Sequence, residues 1–280
     1  MKTLKLTLVL IITLNVAVMQ AESAKRNPIN YTIILDLSDR VLNPNQMSYD
    51  IDQIQIMFSK FKLKAKRNLI ITSKDRFVVK IIPQRNSPLN VDYYENKLQL
   101  RLDQISIKDK NNRLNQMEGE LKDILQKLKK EAIYSNNKSD YAGVDIWAFL
   151  NDNKETLTFQ NYENTVVILT DGYLDFENNN HVLKKGNHFT NTAFINQLNG
   201  PQWKSIAQSQ DFGIIPIEIK TNATWIISGI KSKNPNDLLQ VSKLKHFWGK
   251  WIKESTKTNP LFIHYSTKSQ MLSELNSIVN

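Results

Sequence analysis

Short runs of consecutive apolar residues alternate along the chain with longer segments in which apolar residues recur every three or four positions. Runs of the first kind predict β-strands covered on both faces, and segments of the second kind predict amphipathic helices that pack on a sheet. The strand-like runs are YTIILD (31–36), LIITS (69–73), RFVVKIIP (76–83), TVVILT (165–170), FGIIPIEI (212–219) and LFIHYS (261–266). The fifth run contains Pro216, which cannot donate a backbone hydrogen bond, so this run is expected at a sheet edge or at a bulge.

Five segments carry the helical pattern. Asp50 and Gln53 have the spacing of an N-cap residue and its reciprocal partner, so the first helix is expected to start at Asp50. The other segments are recognised by an apolar face at helical spacing or by a helix-starting proline. The predicted helices cover residues 50–66, 115–134, 144–151, a segment that starts at Asn234 and Pro235, and a last segment that ends at Val279.

The alternation of strands and helices predicts the fold class. It indicates an α/β fold with a doubly wound, mostly parallel sheet and helices on both faces. Residues 172–200 are polar and rich in asparagine, with a predicted hairpin around Lys185 and Gly186. No linker of low complexity divides the chain, so we expect one domain over residues 28–280.

Residues 1–21 have the order of a secretory signal peptide. Lys2 and Lys5 give a positive start, the apolar run LTLVLIITLNVAV follows, and Ala21 is a small residue suited to cleavage. This interpretation predicts an exported mature chain, periplasmic or secreted, and the alternative is a retained membrane anchor. The chain has no cysteine, which excludes disulfides, thiolate metal ligands and a thiol nucleophile.

The charge of the chain narrows the class of partner. A formal charge of +10, or +8 without Lys2 and Lys5, favours anionic membrane surfaces, polyanionic glycans or other acidic partners. Export argues against nucleic acid. One predicted helix concentrates this charge around three aromatic residues, which is typical either of a basic membrane-binding face or of a helix packed on the sheet with a solvated lysine face. Its residues are Lys243, Lys245, Phe247, Trp248, Lys250, Trp251 and Lys253.

Two of the strand-like runs end in an aspartate. Asp36 ends the first run, with Ser38 close behind it, and Asp171 follows Thr170 at the end of the run at 165–170. Ligands of open α/β sheets bind at the carboxyl ends of the strands, so these side chains are expected to share one sheet edge. Oxygen ligands of this kind suit a hard cation, Mg²⁺ first and Mn²⁺ or Ca²⁺ as alternatives.

These residues resemble the metal-ion-dependent adhesion site of von Willebrand factor A domains. The family combines an Asp-x-Ser-x-Ser loop, a threonine in a second loop, and an aspartate followed by glycine in a third. Asp36 and Ser38 match the first loop, and Asp171 with Gly172 matches the third. The resemblance implies a three-layer α/β sandwich and a noncatalytic domain that binds proteins or surfaces through a ligand carboxylate on the metal.

The chain departs from that pattern at two positions. Arg40 stands where the family has its second serine, and Val144 where it has its threonine. Ser139, Asp140 and Asp145 are nearby candidates for supplementary metal ligands. Alternatively, the guanidinium of Arg40 replaces the metal by bonding to both aspartates, or the two aspartates only cap neighbouring loops.

The functional expectation is therefore an exported, noncatalytic protein that binds a protein or surface ligand through this edge, with or without a divalent cation. The main alternative is a metal-free structural or assembly component of an envelope or secreted complex. Hydrolases are a third class, but Ser38 stands where haloacid dehalogenase phosphatases have a second aspartate, and the chain has no Gly-x-Ser-x-Gly elbow.

Overall fold

The computed structural model describes residues 27–67, 69–177, 180–234 and 236–279. The predicted signal peptide at 1–21 lies outside the described residues and stays a prediction; Pro235 is also outside them. Among the described residues, no helix combines the length and the apolar content needed to cross a membrane.

The described residues form an α/β fold built on a six-stranded, mostly parallel sheet. The strands in chain order are β1 (Ile29–Asp36), β2 (Arg76–Ile82), β3 (Gln99–Arg101), β4 (Glu163–Leu169), β5 (Lys184–Lys185), β6 (His188–Phe189), β7 (Gly213–Ile214), β8 (Thr224–Ile230) and β9 (Leu261–His264). The main sheet has the order β3-β2-β1-β4-β8-β9, and only its edge strand β3 is antiparallel to its neighbour. The short strands β5, β6 and β7 form a second, small sheet.

Helices pack on the main sheet. They are α1 (Pro44–Arg67), α2 (Val91–Lys97), α3 (Lys110–Ala132), α4 (Ile146–Leu157), α5 (Trp203–Ser209), α6 (Gln240–Thr256) and α7 (Lys268–Ile278). Successive side chains of a strand point to opposite faces of the sheet. On β1, Ile33 and Leu35 pack with apolar residues of α1, α3 and α7, whereas Ile34 packs with those of α4 and α6.

The structure confirms most of the long predicted elements and corrects several boundaries. Helix α1 begins at Pro44, six residues before the predicted start, because the Asn43 side chain accepts the amides of Asn45 and Gln46. Asp50 is therefore not an N-cap but a buried residue within the helix. Helix α6 begins at Gln240 rather than at Asn234, after an exposed turn.

Strand predictions failed where the apolar run was short or lay in an edge segment. LIITS forms a turn in which Leu69 and Ile71 are exposed. FGIIPIEI contributes only the two residues of β7, which pair in the small sheet. Strand β8, which the sequence analysis missed, lies next to β4 in the main sheet. The predicted hairpin is confirmed as β5 and β6.

Candidate functional site

The candidate site lies where β1 and β4, neighbouring parallel strands, reach their carboxyl ends. Leu35 pairs with Leu169, so Asp36 at the end of β1 and Asp171, two residues after β4, lie at the same edge. The prediction that these aspartates end adjacent parallel strands is confirmed. The chain leaves β1 towards β2 on one side and returns to β4 on the other, and such a reversal of strand order opens a crevice for ligands.

Asp36 ties the two strand ends together. Its side chain is fully buried, and its Oδ1 accepts the backbone amide of Ser38 at 2.8 Å. Its Oδ2 accepts the hydroxyl of Thr170 at 2.8 Å, and that hydroxyl accepts the amide of Gly172 at 3.1 Å. Both carboxylate oxygens therefore already receive protein hydrogen bonds, as expected for a carboxylate buried away from water.

Arg40 turns inward and binds Asp50 of α1. Its Nη1 and Nη2 donate to the two carboxylate oxygens of Asp50 at 2.7 and 3.1 Å, a bidentate pair in which both side chains are almost fully buried. Nη1 also donates to the carbonyl oxygens of Asp36 and Leu169, at 3.1 and 3.2 Å. The guanidinium thus joins the backbones of β1 and β4, but its carboxylate partner is Asp50 instead of the predicted Asp36 and Asp171.

Lys233 lies in the loop after β8, and its ammonium group faces the carboxylates of the site. Its Nζ lies 3.8 Å from Asp39 Oδ1 and 3.9 Å from Asp175 Oδ2, and 4.4 Å from the centre of the Tyr173 ring. Burial lowers the pKa of this ammonium, but the charges of Asp171, Asp39, Asp175 and Asp36 outweigh it and raise the pKa overall. Lys233 is therefore held charged by four carboxylates.

Asp171 has a strongly perturbed carboxyl group. Its side chain is 6% exposed, and Oδ1 accepts the amide of Tyr173 at 3.2 Å. Burial raises its pKa to about 6; the charge of Lys233 opposes this rise, and that of Asp36 adds to it. The ionised form of Asp171 is thus disfavoured in the folded chain, which is typical of functional sites.

The loops around these residues line an open cavity of about 500 Å³. Its wall contains the cations Lys138, Lys231 and Lys233 together with Asp39 and Asp171. Lys138 Nζ lies 3.0 Å from Asp39 Oδ2, which places an exposed ammonium at the rim. The cavity therefore presents more positive than negative side chains to a ligand.

The supplementary candidates have other roles. Asp145 caps α4 by accepting the amide of Ala148 at 2.8 Å, and Asp140 accepts the hydroxyl of Ser135. Ser139 is exposed in a short turn, and its amide donates to the side chain of Asn137. Within the described residues, no hydrogen bond joins Ser139, Asp140 or Asp145 to Asp36, Ser38 or Asp171. Val144, at the family's threonine position, is buried in the core.

The geometry argues against a divalent cation at this edge. Arg40 and Val144 stand where the resemblance to von Willebrand factor A domains predicts two oxygen ligands, and the ammonium of Lys233 supplies positive charge to the site carboxylates. The part of the chain that the structure describes holds no group of three or more His, Asp or Glu residues placed to bind a metal ion. Both carboxylate oxygens of Asp36 already accept hydrogen bonds, and the ammonium of Lys233 repels a second cation, so the side chains present do not fit Mg²⁺, Mn²⁺ or Ca²⁺ while Lys233 is in place.

Both aspartates also cap their own loops. Each accepts the backbone amide two residues further along, that of Ser38 for Asp36 and that of Tyr173 for Asp171. Loop capping was one of the three predicted alternatives, and the two aspartates cap their loops while they also interact with the charge of Lys233. Lys233 is the residue that sequence reasoning missed, because it lies about 60 positions after Asp171 in a segment with no motif.

Comparison with protein families, curated proteins and solved structures finds no match for this chain.

Proposed function

We propose that this chain is an exported, noncatalytic interaction domain with the doubly wound three-layer architecture of von Willebrand factor A domains, and that it binds its partner without a metal. The reversal of strand order between β1 and β4 and the aspartates at both strand ends support this architecture. A structural or assembly role in an envelope or secreted complex is the second candidate. It agrees with a sheet edge at Asp36 and Asp171 whose charges are balanced by the chain's own side chains.

One observation carries the metal-free part of the proposal. The ammonium of Lys233 lies within 4 Å of Asp39 and Asp175 and interacts electrostatically with Asp171 and Asp36. A cation brought by the chain itself therefore neutralises the carboxylates that a divalent ion would otherwise neutralise. The charge of Arg40 also acts on Asp36 and Asp171, but the carboxylate to which it is hydrogen-bonded is that of Asp50.

The same lysines define how a partner would bind. In the metal-dependent mode, a ligand carboxylate completes the coordination of the cation. Here Lys138, Lys231 and Lys233 line the cavity, so an acidic side chain of the partner would accept charge-assisted hydrogen bonds from them directly. Such binding weakens with rising ionic strength, because the lysines are partly solvated.

Thermal unfolding with and without Mg²⁺ tests the proposal. Wild type should melt at the same temperature with 10 mM Mg²⁺ and with a chelator, since no site competes for the ion. Lys233→Met keeps the stem over Tyr173 but removes the charge, so it should lose stability and become responsive to Mg²⁺. At an Mg²⁺ concentration about ten times its dissociation constant, the regained stability would be about 1.4 kcal/mol.

Lys231→Met is the matched control. Lys231 lies two residues away, lines the same cavity and stacks over Tyr265 with its Nζ 4.5 Å from the ring centre. Among the described residues, its ammonium forms no ion pair with the site carboxylates. This variant should ignore Mg²⁺ as wild type does. A wild-type melting temperature that rises with Mg²⁺ and falls with chelator would refute the proposal and favour metal-dependent adhesion.

A capture experiment tests the binding part separately. Full-length protein immobilised on beads should retain the same partner from native membrane extracts with and without chelator, and Lys138→Gln together with Lys231→Gln should reduce retention. Retention that chelator abolishes would contradict metal-independent binding.

A further inference from the structure

Helix α6 carries a lysine cluster that the candidate site does not use. Its aromatic residues Phe247, Trp248 and Trp251 are fully buried against the sheet, so this helix is packed and does not offer them to a membrane. Lys243 is buried too, and its Nζ lies 3.5 Å from Asp237. The other lysines of the cluster face a groove on the outer side of the helix.

The groove lies between α5, α6 and β9 and has a volume of about 530 Å³, within the usual range for small-molecule sites. Three ammonium groups and one carboxylate line it, those of Lys245, Lys250, Lys253 and Asp211. His246 lies beside them. The rest of the lining is largely apolar and includes Ala207, Phe212, Gly249, Pro260 and Phe262. The groove thus combines an apolar floor with a cationic rim.

The lysines differ in how firmly they are held. Lys250 Nζ donates to Asp211 Oδ1 at 2.6 Å and to the carbonyl of Phe212 at 2.8 Å, and a Cβ on Gly213 would lie only 3.3 Å from that nitrogen. Lys245 Nζ lies 2.9 Å from His264 Nε2 and 5.2 Å from the centre of the Phe262 ring. Lys253 has no ion-pair partner among the described residues, so its ammonium is available to a ligand.

We propose that this groove binds a tetrahedral oxyanion, a phosphate or sulfate, carried on a compact body that packs on Phe212 and Phe262. Among the described residues that line the groove, the cationic side chains are lysines and none is an arginine. Lysines act as separate point charges that approach an anion from several directions, whereas a planar carboxylate is better matched by the fork of an arginine. The site is distinct from the edge formed by Asp36 and Asp171, and the proposal does not depend on the proposed function.

His246 provides a reporter inside the groove. Burial lowers its pKa, and the charges of Lys204 and Lys250 lower it further. An anion bound beside these lysines offsets their charge, so it should raise the pKa of His246. The chain has four histidines, and His181 pairs with Glu177 at 2.6 Å in a different loop, which makes it an internal control.

The test is a histidine NMR titration of the full-length protein with inorganic phosphate, at an ionic strength held constant with NaCl. The His246 resonances should shift saturably, with a raised pKa, while those of His181 stay in place. Lys253→Gln and Lys245→Gln should each weaken phosphate binding by about two- to fivefold, the usual range for one exposed charge pair. Lys122→Gln, an exposed lysine on α3, is the charge-matched control and should leave binding unchanged.

Further arms distinguish the sources of the oxyanion. Glucose 6-phosphate that binds more tightly than inorganic phosphate, with glucose alone inactive, would show that the apolar floor holds an ester. Equal affinity for inorganic phosphate and the ester would assign the site to the free ion. The proposal is overturned if acetate binds as well as phosphate, if no saturation is reached by 50 mM phosphate, or if Lys122→Gln weakens binding as much as Lys253→Gln.

Discussion

Replacing Asp171 with asparagine should stabilise the protein at neutral pH. The Asp171 side chain is 6% exposed, and burial, opposed by Lys233, raises its pKa from an ordinary 3.8 to about 6. Its ionised form is therefore less favourable in the folded chain than in the unfolded one. Asparagine has nearly the same shape, keeps an oxygen that can accept the amide of Tyr173, and carries no charge.

The sign follows from proton binding. Between about pH 4 and pH 6 the folded state holds more protons at Asp171 than the unfolded state does, so the stability of wild type falls as pH rises through this window. Above the raised pKa the loss is complete. A difference of about two pKa units corresponds to about 3 kcal/mol, and because Asp171 titrates together with its neighbours we expect about 2–3 kcal/mol at pH 7.5.

Urea unfolding of wild type and Asp171→Asn between pH 4 and pH 7.5 measures this effect. The stability gained by the variant should grow by about 2 kcal/mol across the range, whereas the effects of titrating groups that do not interact with Asp171 cancel in the comparison. Asp152→Asn, an exposed change of equal charge on α4, should alter stability by less than about 0.5 kcal/mol at either pH. A stability difference between Asp171→Asn and wild type that is independent of pH would refute the argument.

Two further predictions concern the residues that hold this edge together. Arg40→Ser leaves Asp50 buried without its partner, so it should lower the free energy of unfolding, measured in urea, by about 3–5 kcal/mol. The double variant Arg40→Leu with Asp50→Leu should recover most of this loss. A loss below about 1 kcal/mol in Arg40→Ser would contradict the importance of the buried pair. Gly143 has φ +78°, and a Cβ there would lie 2.0 Å from the carbonyl oxygen of Asp175, so Gly143→Ala should lower the melting temperature. Gly119→Ala, in an open position on α3, should instead stabilise by up to about 1 kcal/mol, and equal effects of the two changes would contradict this reasoning.

The sequence predicts β1 and β4 well because they are long and covered on both faces, although it misses β8, an interior strand that is also mostly buried. Every residue of β1 is buried, and such a run of apolar residues has few alternatives to a central strand. The pairing of β1 with β4 and the shared edge of Asp36 and Asp171 followed from these two runs. LIITS failed because it is short and apolar without a partner strand, and such a run does not by itself separate a strand from a turn.

Charge pairing within the site is harder to predict from a sequence. Asp50 and Gln53 have capping-box spacing, but the apolar face of α1 continues upstream through Met47, and Asp50 serves a buried arginine instead. Gln53 likewise accepts the hydroxyl of Ser228 on β8, at 2.6 Å. Ser228 is 175 residues from Gln53 and Arg40 is 10 residues from Asp50, so neither partner falls within the short spacing that predicts a helix cap.

Arg40 and Lys233 have different roles at this edge of the sheet, and together they explain how the fold tolerates the buried carboxylate of Asp171. Arg40, buried and bidentate with Asp50, also binds the carbonyls of Asp36 and Leu169 and so fixes the distance between β1 and β4. Lys233 is partly exposed and holds its carboxylates at 3.8 Å or more, so it neutralises charge without locking the geometry. An ammonium held this loosely can be shared with a further carboxylate, because an exposed ion pair contributes about 1 kcal/mol or less. The backbone of the edge is therefore held rigidly while Lys233 can share its charge, which agrees with the proposed direct binding of an acidic partner.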